Sequence, residues 1–268
     1  MRKALAISLV TVVTLILFIG CKKKDGGSTL VDLFFPVSKD VQLGTQLQTE
    51  IAANPDQYPL LDEDKYPEAY AHIIRIRDSI LESGEVTHKD DFSWDVKIIE
   101  DDATLNAFAA PGGFIYVYTG LIKYLDTEDE LAGVMGHEIA HADRRHSVNQ
   151  MVKSYGVQVL LDIVLGENQG MLTQIAQNMA SLSFSRSDES EADEYSVIYL
   201  CPTGYHAAGA AGFFEKIEAE GGSSTPAFLS THPSPDNRVK EINSKKTELN
   251  CSGTEKDGKY QELLNSLP

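Results

Sequence analysis

The chain has 268 residues, 42% of them apolar, which suffices for one large domain or two small ones around a packed core. Its formal net charge is −17, with Asp and Glu scattered rather than blocked. Such a surface repels nucleic acid, so no nucleic-acid partner is expected, and the acidity otherwise bears on solubility.

The chain opens on a short basic MRK, followed by an uncharged run from Ala4 to Gly20. Its seventeen residues sit at the lower limit for a membrane span and fit the core of a signal peptide. The run ends in FIGC, and a small residue directly before Cys21 resembles the lipobox of bacterial lipoproteins. That resemblance implies cleavage of residues 1–20 and acylation of Cys21, which would anchor the chain to a membrane. The alternative is an uncleaved signal anchor, and Phe18 stands where leucine is usual in the lipobox. KKKDGGST then reads as a flexible tether, giving a lipidated segment 21–37 and a folded domain over 38–268. If Cys21 carries lipid, Cys201 and Cys251 remain, and an even remainder in an exported protein suggests a disulfide. Two free thiols are the other reading. The absence of a CxxC pair excludes a cysteine-based zinc ribbon.

Apolar spacing predicts helices over 39–53 and 65–83, the first broken by Pro55 and Pro59. Short strands follow at 94–100, 104–110 and 114–120, where aromatic and β-branched residues flank Pro111-Gly112-Gly113, and an antiparallel sheet is expected. Thr127 begins T-E-D-E, a capping box that starts a helix running to about Arg145. Further helices are expected at 148–165, 171–183, 188–200, 206–219 and 235–247, and the last twenty residues read as a loosely held tail in which ELL near the end can form a short helix. The fold class is α+β, mainly helical with a small sheet.

The helix over 127–145 contains GVMGHEIAHADRRH. His137 and His141 are four residues apart and share a face, so both imidazoles reach one metal ion. Glu138 lies about 100° round the axis, where its carboxylate reaches a metal-bound water without being a ligand. H-E-x-x-H on a helix is the zinc-peptidase pattern for this reason, with Glu138 as general base. Gly133 and Gly136 cost helix stability, about 1 kcal/mol each relative to Ala, and so suggest close neighbours. A catalytic zinc needs a third protein ligand. His146, five residues after His141, has the wrong spacing and face to be it. In SFSRSDESEADEYS, Glu189 and Asp193 share a helical face. One can bind metal while the other accepts a ring N–H from a ligating histidine. Glu191 and Glu194 point elsewhere and read as solvated.

HEIAH, with SRSDESEAD some fifty residues on, resembles the membrane-associated zinc endopeptidases related to HtpX and the CAAX prenyl proteases. The resemblance covers about residues 90–240 and implies a zincin-like domain that binds one Zn2+. It makes Glu189 the third ligand and Asp193 its supporting residue. It places NAFAAPGGFIYVYTGL at a strand edge beside the cleft, where an extended peptide would pair, with Asn106 either touching that peptide or serving as a turn residue. It also sets THPSPDNR beside an HP-x-P-x-x-R segment of the exported members. There His232 would be a reversible fourth ligand or a transition-state contact, and Arg238 would bind a carboxylate of the site or the substrate oxyanion. The tetratricopeptide-like repeats of some periplasmic relatives are absent, as are the multiple membrane spans of HtpX. The expectation is a lipid-anchored zinc endopeptidase facing the periplasm, on the outer membrane, acting on unfolded or misfolded envelope proteins. The rival is a non-catalytic or latched holder of such proteins.

Overall fold

The computed structural model describes residues 30–220, 226–235, 237–254 and 259–268. The N-terminal apolar run, Cys21 and the polar tether after it lie outside the described residues. Leu30–Phe34 forms a five-residue helix, α1. The body of the protein runs from Phe35 to Pro268 and is mainly helical with one small sheet.

Helices α2 (Ser38–Ala52) and α3 (Pro67–Leu81) follow their apolar stripes, burying Leu43, Leu47 and Ile51 in one and Ile73, Ile76 and Ile80 in the other. Pro67 stands in the first turn of α3, where its missing N–H leaves no bond unmade. Strands β1 (Val96–Ile99), β2 (Ala107–Ala110) and β3 (Phe114–Tyr118) then form a sheet in the order β1-β3-β2. The sheet is mixed, which corrects the antiparallel expectation. β2 and β3 are an antiparallel hairpin, but β1 pairs parallel to β3, Val96 opposite Ile115. The turn at Gly112 and Gly113, both at positive φ, fixes only the hairpin. Two reversals return the chain to the direction of β1, which takes the open edge of β3.

After α4 (Thr119–Tyr124) comes α5 (Glu128–Asp143), in which every residue but Glu130 is buried. Thr127 caps it by accepting from the Glu130 amide at 3.2 Å. The reciprocal half of the expected capping box is displaced, since the Glu130 carboxylate accepts from the Asp126 amide at 2.7 Å. The chain continues through α6 (His146–Tyr155), α7 (Val157–Val164), α8 (Gln169–Asn178), a 3-10 turn at Met179–Ser181, α9 (Arg186–Leu200), α10 (Gly209–Glu220), α11 (Ala227–Thr231), α12 (Arg238–Glu248) and α13 (Tyr260–Ser266). The single helix expected over 148–165 is broken at Gly156, whose φ of 86° a continuous helix cannot hold. Among the described residues no helix is long and apolar enough to cross a membrane.

β2, β3, α9 and α10 all pack against α5. The glycines of α5 make this possible. A methyl group at Gly133 would sit 2.0 Å from the Ala210 nitrogen, and one at Gly136 would sit 2.9 Å from Ser196 Oγ. The described part of the tail is held in place, and the short helix expected at ELL forms. Cys201 and Cys251 form a disulfide, and α13 buries Tyr260 and Leu263. The Tyr260 hydroxyl donates to the Ile122 carbonyl, and Lys123 Nζ reaches the Pro268 carbonyl at 2.8 Å.

Candidate metal centre

The close approach of α9 to α5 brings Glu189 over the two histidines that α5 presents one turn apart. His137 Nε2 and His141 Nε2 are 2.9 Å from each other. Glu189 faces both, with Oε2 3.4 Å from His137 and Oε1 3.3 Å from His141. His232, just past α11, points its Nδ1 into the same space, 3.0 Å from Glu189 Oε1 and 3.3 Å from His137 Nε2. The four ligand atoms all lie within 4.8 Å of one another. His137 is 1% exposed and the other three are fully enclosed. Three imidazole nitrogens and a carboxylate converging in one buried space fit a cation, which all four can bind at once. The donor set, imidazole and carboxylate, suits zinc.

Two residues hold this group from behind. Asp193, one turn on from Glu189, sets Oδ1 2.9 Å from His137 Nδ1, which turns Nε2 of that ring inward. Arg238, at the start of α12, donates from Nη2 to Glu189 Oε2 at 2.9 Å and to Asp193 Oδ1 at 2.8 Å. Its Nε lies 2.7 Å from Asp193 Oδ2, and its guanidinium stacks 3.8 Å over the Phe214 ring. Of the two contacts expected of Arg238, the structure builds the one with carboxylates. The side chain is fully buried, committed to the site's own acids.

Glu138 is enclosed, and its Oε1 faces His232 Nε2 at 3.5 Å, beyond a close hydrogen bond. Burial raises its pKa above the ordinary carboxylate value, more than the nearby His232 and His137 lower it. Burial also acts on Glu189, but there His232, His137 and His141 outweigh it and hold the carboxyl well below its usual range. Burial likewise opposes charge on His137, yet Asp193 and Glu189 lift it to about 9. Burial and the charge of His137 push His141 down instead, although Glu189 opposes them. One strongly ionised acid, one acid inclined to keep a proton and two unlike histidines thus share one cavity.

Some of the surroundings are not what the sequence suggests. Phe184 stacks on His141, ring centroids 4.0 Å apart, and its amide donates to the Thr231 carbonyl. Phe228 stacks on His232 at 4.2 Å. No spacing rule marks either phenylalanine. β2 is an edge strand but not an exposed one. Its four residues are buried, and Ser147 Oγ donates to the Ala109 carbonyl at 2.7 Å. Asn106 is buried too, and its Nδ2 donates to Ala180 O in the 3-10 turn at 3.1 Å. His146 is outside the metal group but touches it, Nδ1 to His141 Nδ1 at 3.1 Å. Glu191 is not merely solvated. It accepts from Arg144 Nε at 2.9 Å and faces His146 Nε2 at 3.4 Å. The hydrogen bond with His146, and then Arg144 against opposing burial, lowers its pKa to about 2. Glu194 is exposed and pairs with Lys245 at 2.9 Å.

Residues 67–246 match the profile of Peptidase family M48. The chain is 33% identical over 158 residues to the mitochondrial metalloendopeptidase OMA1 of Arabidopsis thaliana, covering 58% of this chain and 32% of that protein. It is 30% identical over 145 residues to the metalloprotease YcaL of Escherichia coli (strain K12), covering 52% and 57%. It is 28% identical over 170 residues to the beta-barrel assembly-enhancing protease of the same strain, covering 54% and 33%. The chain thus spans from 32% to 57% of the length of these relatives.

Proposed function

The chain belongs to peptidase family M48, a family of metalloendopeptidases, and from that premise we propose that it is a zinc-dependent endopeptidase of the bacterial cell envelope. The observation that carries the reading is the convergence of His137, His141 and Glu189 beside an enclosed Glu138, which follows His137 directly in the chain and faces His232. His137, His141 and Glu189 would hold the metal. Zinc, when bound, acidifies a water and polarises the scissile carbonyl. Glu138 would take a proton from the attacking water and give it to the leaving amine, and a carboxyl with a raised pKa suits both halves of the task. Asp193 and Arg238 keep the ligands oriented.

The name of the beta-barrel assembly-enhancing relative supports envelope proteins as substrates. With the groups that cover the β2 edge moved aside, an unfolded segment is the form most able to lie along that edge, so misfolded envelope proteins are the proposed class. Asn106, at the start of that edge, would contact such a segment once its bond to Ala180 is released. Acylation at Cys21 would keep the enzyme on the outer membrane, facing the periplasm. Palmitate labelling that persists in Cys21→Ser sinks that part.

His232 favours a second reading in which the site is latched, because its Nδ1 already stands where a fourth ligand would. The test uses the full chain in detergent, an unfolded casein and zinc quantified by mass spectrometry. The parent is expected to hold one zinc and cleave, and Glu138→Gln to hold one zinc and not cleave. Zinc without cleavage in the parent, relieved by His232→Ala, selects the latch. Zinc without cleavage in both leaves the holder of unfolded proteins.

A further inference from the structure

α5 ends at Asp143, and Arg145 takes up a left-handed conformation, φ 60°. A buried pair holds that turn, since Arg145 donates to both carboxylate oxygens of Asp40 at 2.8 Å and to the Phe35 carbonyl at 2.7 Å. The turn swings His146 back beneath the helix it has just left. There it is 3% exposed, its ring edge-on to His141 with centroids 5.0 Å apart.

The hydrogen positions follow from the geometry. A neutral imidazole carries one N–H. His141 Nε2 faces Glu189 and the metal group, so a His141 that binds metal there carries its hydrogen on Nδ1. The atom 3.1 Å from that Nδ1 is His146 Nδ1, which must therefore accept. His146 then carries its own hydrogen on Nε2, and that atom faces Glu191 Oε2 at 3.4 Å. Arg144 fixes the other oxygen of Glu191 at 2.9 Å. The two helix histidines are thus backed differently. His137 rests directly on a carboxylate, whereas His141 reaches one through a second imidazole.

We propose that His146 is a positioning residue for the metal, accepting the Nδ1–H of His141 and held in that tautomer by Glu191. The inference rests on the zinc-binding reading given above. A ligand histidine whose outer nitrogen has a fixed partner keeps its ring oriented and its metal-facing nitrogen basic, and loss of such a partner costs about 10–100-fold in metal affinity. Asn at 146 can set an amide oxygen where Nδ1 accepts, while Leu cannot.

The experiment measures the zinc dissociation constant of the full chain in detergent by competition with a chromophoric chelator. His146→Leu is expected to weaken zinc about 10–100-fold. His146→Asn is expected to recover most of that loss, and Glu191→Gln to fall between. Long-range nitrogen–proton NMR of the zinc-loaded parent is expected to place the hydrogens on His141 Nδ1 and His146 Nε2, and needs no variant to fold. A parent that holds no zinc overturns the metalloprotease reading and this inference together. A parent that holds zinc no more tightly than a folded His146→Leu overturns this inference alone, as does a hydrogen found on His146 Nδ1.

Discussion

At the scale of single residues, the site separates atoms that face the metal from atoms that hold those in place. Glu138 belongs to neither set. Glu138→Gln keeps the shape and removes the base, so zinc content should be unchanged and kcat should fall about 10²–10⁴-fold. Arg238 belongs to the second set, between two buried carboxylates and the face of Phe214. Arg238→Met leaves both acids without their counter-charge in a buried place. A loss of about 3–5 kcal/mol in denaturant unfolding is expected, together with zinc binding about 10-fold weaker. Unchanged stability in that variant would show that the acids find compensation elsewhere. The sequence could name His137, His141, Glu189 and His232 because helical spacing and motif order carry them. It could not name Phe184, Phe228 or the place of His146, since each depends on how distant turns fold back over α5.

Among elements, the approach of α10 and α9 to α5 decides whether the ligands meet. Gly133→Ala would drive a methyl into the Ala210 backbone, which cannot yield as a side chain would. A cost of about 1–3 kcal/mol is expected, with zinc affinity lowered as well. The start of α5 gives a pH dependence. Burial pushes the Glu128 carboxyl up, but hydrogen bonds from Arg75 and Tyr205 outweigh it and leave the pKa lowered from 4.5. A lowered folded pKa adds stability above the unfolded value and loses it as pH falls through the folded one. Metal-free protein should therefore lose stability more steeply below pH 4.5 than Glu128→Gln does, in unfolding titrations across that range. Most of the longer helices were legible from their apolar stripes and caps, but the break at Gly156 was not. The partner of β1 was not, because residues 94–100 are compatible with either open edge of a hairpin, and only the packing around them chooses.

For the whole molecule, the disulfide joins residues 50 apart and ties the end of α9 to the segment after α12. Closing a loop of that length restricts the unfolded chain by about 4 kcal/mol. Reductant should lower the melting temperature of the parent and leave Cys201→Ala/Cys251→Ala unmoved. The tail is thereby part of the frame that holds α12, and with it Arg238, against α9. The complete enclosure of the metal group bears on how the protein would meet a drug-like molecule. A hydroxamate cannot collide with atoms that have no surface, so its capture would wait for Phe184 and His232 to swing aside. Onset of inhibition would then be slow, and its rate would level off as inhibitor concentration rises, reporting the frequency of opening directly.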